Sequence, residues 1–234
     1  MKTTTFETIR LEIADRIALV TLNRPERMNA YTVQMMLDVI KALDMTDADD
    51  EVGAVIVTGA GRAFCAGADL AGGGDTFDYE KNKARDALAP AGDMNRMRDG
   101  GGRLSLRIFE SLKPVIAAVN GAAVGVGATM QLAMDVRLAS TAARYGFVFG
   151  RRGMVPEACS SWFLPRLVGP QTALEWCLTG RVFSAAEAKE RGLVHAVHVP
   201  DDLLPAARAL AREIVDNTAP VSAALTRHML WRML

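Results

Sequence analysis

The chain has 234 residues, half of them apolar and 23% charged, a composition that fits a globular protein with a sizeable core. Its 27 basic and 27 acidic side chains cancel, which argues against broad electrostatic attraction to nucleic acid or to an anionic membrane surface. The length is compatible with one large domain or two small ones.

The cysteines and the N-terminus exclude two further classes of protein. Cys65, Cys159 and Cys177 are widely spaced and form no CxxC pair, so we expect neither disulfides nor a metal centre. Residues 1–5, MKTTT, contain no apolar signal core, which predicts a cytoplasmic location. Residues 114–134 carry no charge, but the turn Asn120-Gly121 divides them, which predicts a buried core segment and no membrane span.

In the first half of the chain, apolar patterns predict strands that alternate with helices. Residues 16–22 predict a strand, and the helix that follows is capped by Thr32. The continuous β-branched runs at residues 54–58 and 115–119 predict strands that are covered on both faces, as in parallel sheets. A short buried helix at residues 127–134 and a strand at residues 136–139 follow.

After residue 150 the pattern becomes mostly helical. We predict helices at residues 158–167 and 170–178, and a third that opens with a capping box from Ser184 to Glu187 and ends at Gly192. A strand at residues 194–199 and an amphipathic helix at residues 203–215 complete the pattern. The alternation of strands and helices indicates an α/β protein.

Residues 71–103 differ from the rest because two Gly-Gly-Gly runs enclose a charged stretch. A loop of this length inside a compact domain is often a lid or a binding loop. We therefore expect a mobile segment that contains a helix and becomes ordered when ligand binds. A solvated insertion is the alternative.

Most patterns of familiar catalytic and cofactor sites are absent. All three histidines lie at or after position 195, and Ser160 and Ser161 lack the Gly-x-Ser-x-Gly elbow of hydrolases. Residues 125–130 begin like a dinucleotide fingerprint but lack its third glycine and the acidic residue that should follow. No nicotinamide, metal or other tightly bound cofactor is therefore expected.

Two turns of small residues remain as candidates for chemistry. AFCAGADL at residues 63–70 and NGAAVGVG at residues 120–127 each accompany a predicted strand. Glycine and alanine let backbone N–H groups approach a ligand closely. Two such donors that converge on one point form an oxyanion hole, in which each contributes about 3 kcal/mol to the transition state. Tight structural turns are the alternative.

At these residues the chain resembles the crotonase (enoyl-CoA hydratase/isomerase) superfamily. NRPERMNA at residues 23–30, AFCAGADL at 63–70, KPVIAAVNG at 113–121 and a later block at 178–194 follow the family's order and spacing. The resemblance implies an α/β fold, with a crotonase-like spiral of ββα repeats at residues 1–192. A C-terminal helical segment at residues 193–234 would be short relative to the family, and the chain would form a homotrimer or a hexamer.

The resemblance also implies that the substrate is an acyl-CoA thioester. Coenzyme A would then be present only as part of the substrate and not as a tightly bound cofactor. The backbone N–H groups of Ala68 and Val126 would hold the thioester oxygen, and Arg24 and Arg27 would meet the CoA phosphates. The alternative for each arginine is a merely solvated side chain. The further positions implied in CoA binding are Met28, Ala30, Ala66, Gly67, Asp69, Leu70 and Gly125.

The reaction type depends on the acidic residues. The two catalytic glutamates of the hydratases are replaced by Thr129 and Phe149. VPEACSSW at residues 155–162 resembles the Pro-Glu-Gly-Cys-Ser-Ser block of peroxisomal Δ3,Δ2-enoyl-CoA isomerases, with Ala158 in place of glycine. The resemblance makes Glu157 the single acid/base, and apolar neighbours would raise its pKa. The alternative is a helix N-terminal residue that the helix dipole favours.

The sequence thus predicts an isomerase that moves the double bond of a 3-enoyl-CoA to the 2-position. A hydratase, or another acyl-CoA lyase or hydrolase of the same fold, is the first alternative. The second is a CoA-binding or scaffolding protein without chemistry.

Overall fold

The structure is a computed structural model that describes residues 1–71, residue 73 and residues 98–233. Residues 72 and 74–97, which make up most of the predicted lid at residues 71–103, lie outside the described residues. The ordering of the lid on ligand binding therefore stays a prediction.

The strands of the described part of the chain form two sheets. Strands β1 to β3 are antiparallel, and β3, β4, β6, β8 and β11 run parallel in the larger sheet. In spatial order, that sheet contains β1 (Lys2–Thr5), β2 (Ile9–Ala14), β3 (Ile17–Leu22), β4 (Ala54–Gly59), β6 (Val115–Val119), β8 (Val136–Ser140) and β11 (Ala196–His198). The smaller sheet contains β10 (Val182–Ser184), β9 (Arg144–Gly146), β7 (Ala122–Val124) and β5 (Ala63–Cys65).

A ββα unit recurs along the chain. Each unit places its first strand in the larger sheet and its second strand in the smaller one, and a helix follows. The units are β4, β5 and α2 (Gly100–Phe109), then β6, β7 and α3 (Val126–Thr129), then β8, β9 and α4 (Ser160–Val168). Because equivalent strands pair in parallel, the carboxyl ends of β5 and β7 lie side by side. The predicted α/β spiral is confirmed.

The remaining helices are α1 (Val33–Ala48), α5 (Pro170–Thr179), α6 (Ala185–Glu190), α7 (Pro200–Asn217) and α8 (Pro220–Arg232). Among them, α5, α6 and α7 lie close to the predicted positions, whereas α8 was not predicted as a separate helix. The Thr32 hydroxyl accepts a hydrogen bond of 3.1 Å from the Met35 N–H, which confirms the predicted cap of α1. The helix predicted at residues 127–134 consists of α3 and a 3₁₀ turn at Met130–Ala133.

The larger sheet is covered on both faces, as its apolar runs predict. On one face, Ala207 and Ala211 of α7 join a cluster with Ile56 of β4 and Ile116 of β6. On the other face, neighbouring side chains of the same strands, such as Val55, enter the main core with residues of α1 and α2. Each buried aliphatic side chain stabilises the fold by about 1.5–3 kcal/mol. Burial on both faces therefore strongly stabilises the larger sheet.

The capping box at α6 is half correct. The Ser184 hydroxyl accepts a hydrogen bond of 3.2 Å from the Glu187 N–H, as predicted. The Glu187 carboxylate does not return to the Ser184 N–H, because it accepts charge-assisted hydrogen bonds from Arg181 and a further bond from Trp176. Beyond residue 192, β11 pairs with β8 of the larger sheet, and the division of the chain at that residue stays a prediction.

Residues 114–134 form β6, β7, α3 and the 3₁₀ turn, so this uncharged stretch is the buried core segment that was predicted. None of the helices that the structure describes has the length and apolarity needed to cross a membrane.

Candidate active site

The two predicted turns lie against each other. They follow β5 and β7, which are neighbours in the smaller sheet. Gly67 and Gly125 have φ angles of +110° and +54°, which side chains with a Cβ rarely adopt. A Cβ on Gly67 would lie 3.2 Å from the Val124 carbonyl oxygen, so the turns pack backbone to backbone.

The N–H groups of Ala68 and Val126 belong to these two turns. A short β-bridge joins Tyr31 to the first turn, but it uses the Gly67 carbonyl and the Asp69 N–H, at 2.8 and 2.9 Å. Val126 is the first residue of α3, where N–H groups lack intrahelical partners. Among the described residues, neither the Ala68 nor the Val126 N–H donates to a carbonyl oxygen. The two predicted donors thus lie on adjacent turns, and within the described part of the chain neither has a main-chain acceptor.

The segments predicted to bind CoA also meet. The Ala66 N–H donates a hydrogen bond of 3.1 Å to the Met28 carbonyl oxygen. The Arg24 guanidinium contacts the Asp69 carboxylate at 2.9 Å and the Ala30 carbonyl oxygen at 2.5 Å. One arginine therefore ties residues 24–30 to the first turn.

The two arginines differ in their surroundings. The Arg24 side chain is 21% exposed and engaged with Asp69, whose pKa is lowered by the N–H of Ala71 and by this guanidinium. Arg27 is exposed on the adjacent 3₁₀ turn at Pro25–Arg27, and Leu70 is exposed at the end of the first turn. Arg24 thus shapes the site, whereas Arg27 presents its charge to solvent.

Glu157 lies in the segment that leads into α4. The two residues after it, Ala158 and Cys159, have left-handed φ angles of 57° and 58°. The Ser160 hydroxyl and N–H then donate to the Glu157 carbonyl oxygen at 2.6 and 3.0 Å. The left-handed backbone at Ala158 explains the glycine of the resembling isomerase block, because a Cβ there costs about 1–2 kcal/mol.

The Glu157 carboxyl group contacts the second turn. Its Oε1 accepts a hydrogen bond of 2.8 Å from the hydroxyl of Thr129, which is fully buried and ends α3. At the start of α4, the Ser160 N–H donates to the main-chain carbonyl oxygen of Glu157 and not to its side chain. The Glu157 carboxyl group instead lies against α3 and α2. The carboxyl contacts therefore support a role in the site more than a role as a helix cap.

A second carboxyl group lies beside Glu157. The Asp99 side chain caps α2 by accepting a hydrogen bond of 2.6 Å from the Gly102 N–H, and it is within hydrogen-bonding reach of Glu157. Burial raises the pKa of Glu157 to about 8, Asp99 contributes in the same direction, and the Thr129 hydroxyl opposes the shift. The raised pKa favours the protonated form of Glu157 at neutral pH.

Asp99 was missed in the sequence because it lies in the segment that was assigned only as a possible lid. The one available signal was local, since an aspartate directly before the run that opens α2 is a typical N-cap. Its contact with Glu157 depends on the packing of α2 against the segment before α4.

Other groups near the site are unsuited to acid–base or nucleophilic chemistry. Thr129 and Phe149, which the family resemblance places at the positions of the hydratase glutamates, are both buried, and Phe149 packs in the main core. Burial raises the pKa of the Cys65 thiol to about 12, so it remains a protonated, unreactive thiol.

Two glycine turns at the ends of parallel strands, within a spiral of ββα units, define the architecture of the crotonase superfamily. Residues 12–233 match the family model described as enoyl-CoA hydratase/isomerase. The chain therefore belongs to the enoyl-CoA hydratase/isomerase family, and it is an enzyme of that family.

Similar proteins carry both hydratase and isomerase names. The chain is 42% identical to the enoyl-CoA hydratase AKT3-2 of Alternaria alternata over 94% of its length and 70% of the relative's. It is 34% identical to the 1,2-epoxyphenylacetyl-CoA isomerase of Escherichia coli, over 89% and 76% of the two chains. A monofunctional enoyl-CoA isomerase from M. smegmatis matches with a TM-score of 0.79 and 33% identity, over 97% and 94% of the chains.

Proposed function

We propose that the protein moves the double bond of a 3-enoyl-CoA thioester to the 2-position, with Glu157 as the only acid/base that touches the substrate. The observation that carries the proposal is the position of this carboxyl group, one hydrogen bond from the helix of the second turn. By the family resemblance, Thr129 and Phe149 stand where hydratases hold their two glutamates, and both are buried. One carboxyl group is sufficient for isomerisation.

The two turns supply the electrostatic part of the mechanism. Removal of a proton from C2 leaves a dienolate, and its negative charge accumulates on the thioester oxygen. The Ala68 and Val126 N–H groups, held on adjacent turns, donate to that oxygen. Because the charge is larger in the transition state than in the substrate, fixed donors lower the barrier.

Glu157 supplies the proton transfers. In its charged form the carboxylate takes the proton from C2, and the electron pair of that C–H bond enters the dienolate. The resulting carboxylic acid returns the proton to C4, where a new C–H bond forms and the double bond lies between C2 and C3. Glu157 ends as a carboxylate, so the proton and charge balance is closed.

The CoA moiety would bind along residues 24–30 and 66–70. Arg27, exposed beside the first turn, is the better candidate for a phosphate contact, because Arg24 is occupied by Asp69. The name of the M. smegmatis neighbour, a monofunctional enoyl-CoA isomerase, supports the reaction type. A homotrimer or hexamer and a cytoplasmic location remain predictions.

Hydration of a 2-enoyl-CoA is the second candidate. Two observations favour it: the Alternaria relatives are named enoyl-CoA hydratases, and Asp99 places a second carboxyl group next to Glu157. Two carboxyl groups can orient a water molecule and deliver a proton in concert.

Separate assays with a 3-enoyl-CoA and a 2-enoyl-CoA distinguish the two reactions. We expect conversion of the first to the 2-enoyl product, and no water addition to the second. Glu157→Gln should lower isomerase turnover by at least about 10²-fold, because it removes the acid/base, while acyl-CoA binding persists.

The matched control is Glu110→Gln, which makes the same chemical change at an exposed residue at the end of α2. It should retain wild-type turnover. Rapid water addition to the 2-enoyl-CoA without isomerisation of the 3-enoyl-CoA would replace the isomerase proposal with the hydratase.

A further inference from the structure

Asp99 and Glu157 converge on a single point above α2. A Cβ built on Gly101 would lie 2.2 Å from the Glu157 Oε2 and 3.1 Å from the Asp99 Oδ1. Both carboxyl groups therefore occupy the space that a side chain at Gly101 would fill. Glu157 is bound from the other side by Thr129, through its Oε1.

The hydrogen bonds determine where the proton lies. Thr129 and the Gly102 N–H are donors, and each satisfies one oxygen of a different carboxyl group. The contact between the two carboxyl groups requires a proton, because two carboxylates so close together repel each other. Asp99 already accepts a hydrogen bond from the Gly102 N–H, and we place the shared proton on the Glu157 carboxyl group, which then donates to Asp99.

We propose that Asp99 is a positioning residue that accepts a hydrogen bond from protonated Glu157 and so stabilises this acid between its two proton transfers. The inference deepens the proposed isomerase, on which it rests. Asp99 acts through Glu157 and does not itself need to touch the substrate.

The remaining ionisable groups around Glu157 do not replace Asp99. Tyr31 lies before α1, Cys65 in the first turn and Cys159 directly before α4, and burial raises the pKa of each, so all three are neutral. Arg24, Arg98 and Arg103 act electrostatically on these three neighbours. Asp99 is the charged group that raises the pKa of Glu157 itself.

This arrangement gives the site a stronger base. After Glu157 takes the C2 proton, the new acid donates to Asp99, which lowers the free energy of the intermediate state. The same contact holds the acid in a defined orientation until the proton passes to C4. Without Asp99, Glu157 would ionise at lower pH but abstract the proton less readily.

The test is the pH profile of kcat/KM for Asp99→Asn. Asparagine retains the side-chain oxygen that caps α2, so the helix is preserved, and its NH₂ group donates to a charged Glu157. We expect the midpoint of the rising limb to move down by about 1–3 pH units, and the plateau kcat to fall while KM changes little. A midpoint that stays in place overturns the proposal.

Two further variants sharpen the comparison. Thr129→Val removes the donor to charged Glu157 and should move the midpoint up by about 1 pH unit, opposite to Asp99→Asn. Asp44→Asn neutralises a carboxylate that binds Arg107 of α2 and should leave the midpoint unchanged. A general loosening of the site would move both active-site variants in the same direction, which would also contradict the proposal.

A second measurement separates this inference from the proposed reaction. Infrared difference titration of wild type against Glu157→Gln, both without substrate, reports the protonation of Glu157 alone. The same difference measured between Asp99→Asn and the double variant Asp99→Asn/Glu157→Gln should show the titration midpoint of Glu157 at lower pH, as in the kinetic profile. If wild type lacks isomerase activity but the titration shifts, the reaction is wrong and the carboxyl pair stands; an unshifted titration overturns the pair.

Discussion

At Glu157 a partly buried carboxyl group is held by one hydroxyl and one neighbouring carboxyl, both from distant parts of the chain. Burial disfavours the charged form, and Asp99 adds to that effect, whereas Thr129 supports the charge. The resulting pKa of about 8 lies near working pH, where a group both takes and returns a proton efficiently.

The same shift predicts a pH dependence of folding stability. The pKa of Glu157 is about 8 in the folded chain against an ordinary value of 4.5, so the folded state binds the extra proton between these values. The free energy of unfolding should therefore fall as pH rises from about 5 to about 8. Urea unfolding of wild type and Glu157→Gln at pH 5 and pH 8.5 measures it.

The difference between the two proteins isolates this side chain, because all other titrating groups are shared. Wild type should lose stability relative to Glu157→Gln as pH rises. Parallel pH profiles for the two proteins would show that Glu157 ionises in the folded chain as it does in the unfolded one.

The site could be predicted from the sequence only where short motifs carry it. Glu157 and the two turns stand in contiguous blocks whose residue types reflect local backbone needs, such as the positive φ of Gly67 and Gly125. Asp99 was not predictable, because its role depends on a contact across 58 positions of chain, between α2 and the segment before α4.

At the scale of elements, α2 makes room for the site because Gly101 has no side chain. Gly101 faces the carboxyl group of Glu157 and the methyl group of Ala158, and a Cβ would approach these at 2.2 and 2.9 Å. Glycine is unfavourable in a helix by about 1 kcal/mol relative to alanine. Here the open space that it leaves is occupied by the candidate acid/base.

Gly101→Ala should therefore separate activity from stability. The added methyl displaces the Glu157 carboxyl, so we expect isomerase turnover to fall by at least about tenfold, while the gain in helix propensity limits the loss of stability. Steady-state kinetics and urea unfolding of the same preparation check both parts.

Gly100→Ala is the matched control on the same helix. A Cβ there would lie 3.4 Å from the Met36 sulfur and 3.9 Å from the Tyr31 ring, which is close to ordinary contact. It should keep its turnover. Equal losses in both variants would mean that glycine matters only for the start of α2.

Element prediction succeeded where the pattern is long. The strands at Ala54–Gly59 and Val115–Val119 match the predicted runs within a residue, because burial on both faces demands continuous apolar residues. Strands of three residues, such as Ala63–Cys65 and Ala122–Val124, are too short to show a period. They form because the spiral stacks them, which is a property of the whole fold.

At the scale of the molecule, α8 is joined to the end of α2 through a buried arginine. Arg227 donates to the carbonyl oxygens of Ile108 and Ser111, at 2.6 and 2.9 Å, and to the Asp135 carboxylate at 2.8 Å. Trp231 donates to the same carboxylate at 2.7 Å. The helix that carries Asp99 at one end is thus held by α8 at the other.

The opposite face of α8 exposes Val221, Leu225 and Met229 to solvent. Apolar side chains clustered on one helix are typical of an interface. The number of copies, three or six, stays a prediction that rests on the family resemblance and on no local pattern.

The central claim is that Glu157 alone moves the proton in this fold, and exchange at C2 tests it most directly. When a 3-enoyl-CoA is incubated with wild type in D₂O, NMR should show that its C2 hydrogen is replaced by deuterium from the solvent. Glu157→Gln should bind the thioester with similar affinity, measured by calorimetry, and show no exchange above the uncatalysed rate. Exchange by Glu157→Gln at the wild-type rate would contradict the account.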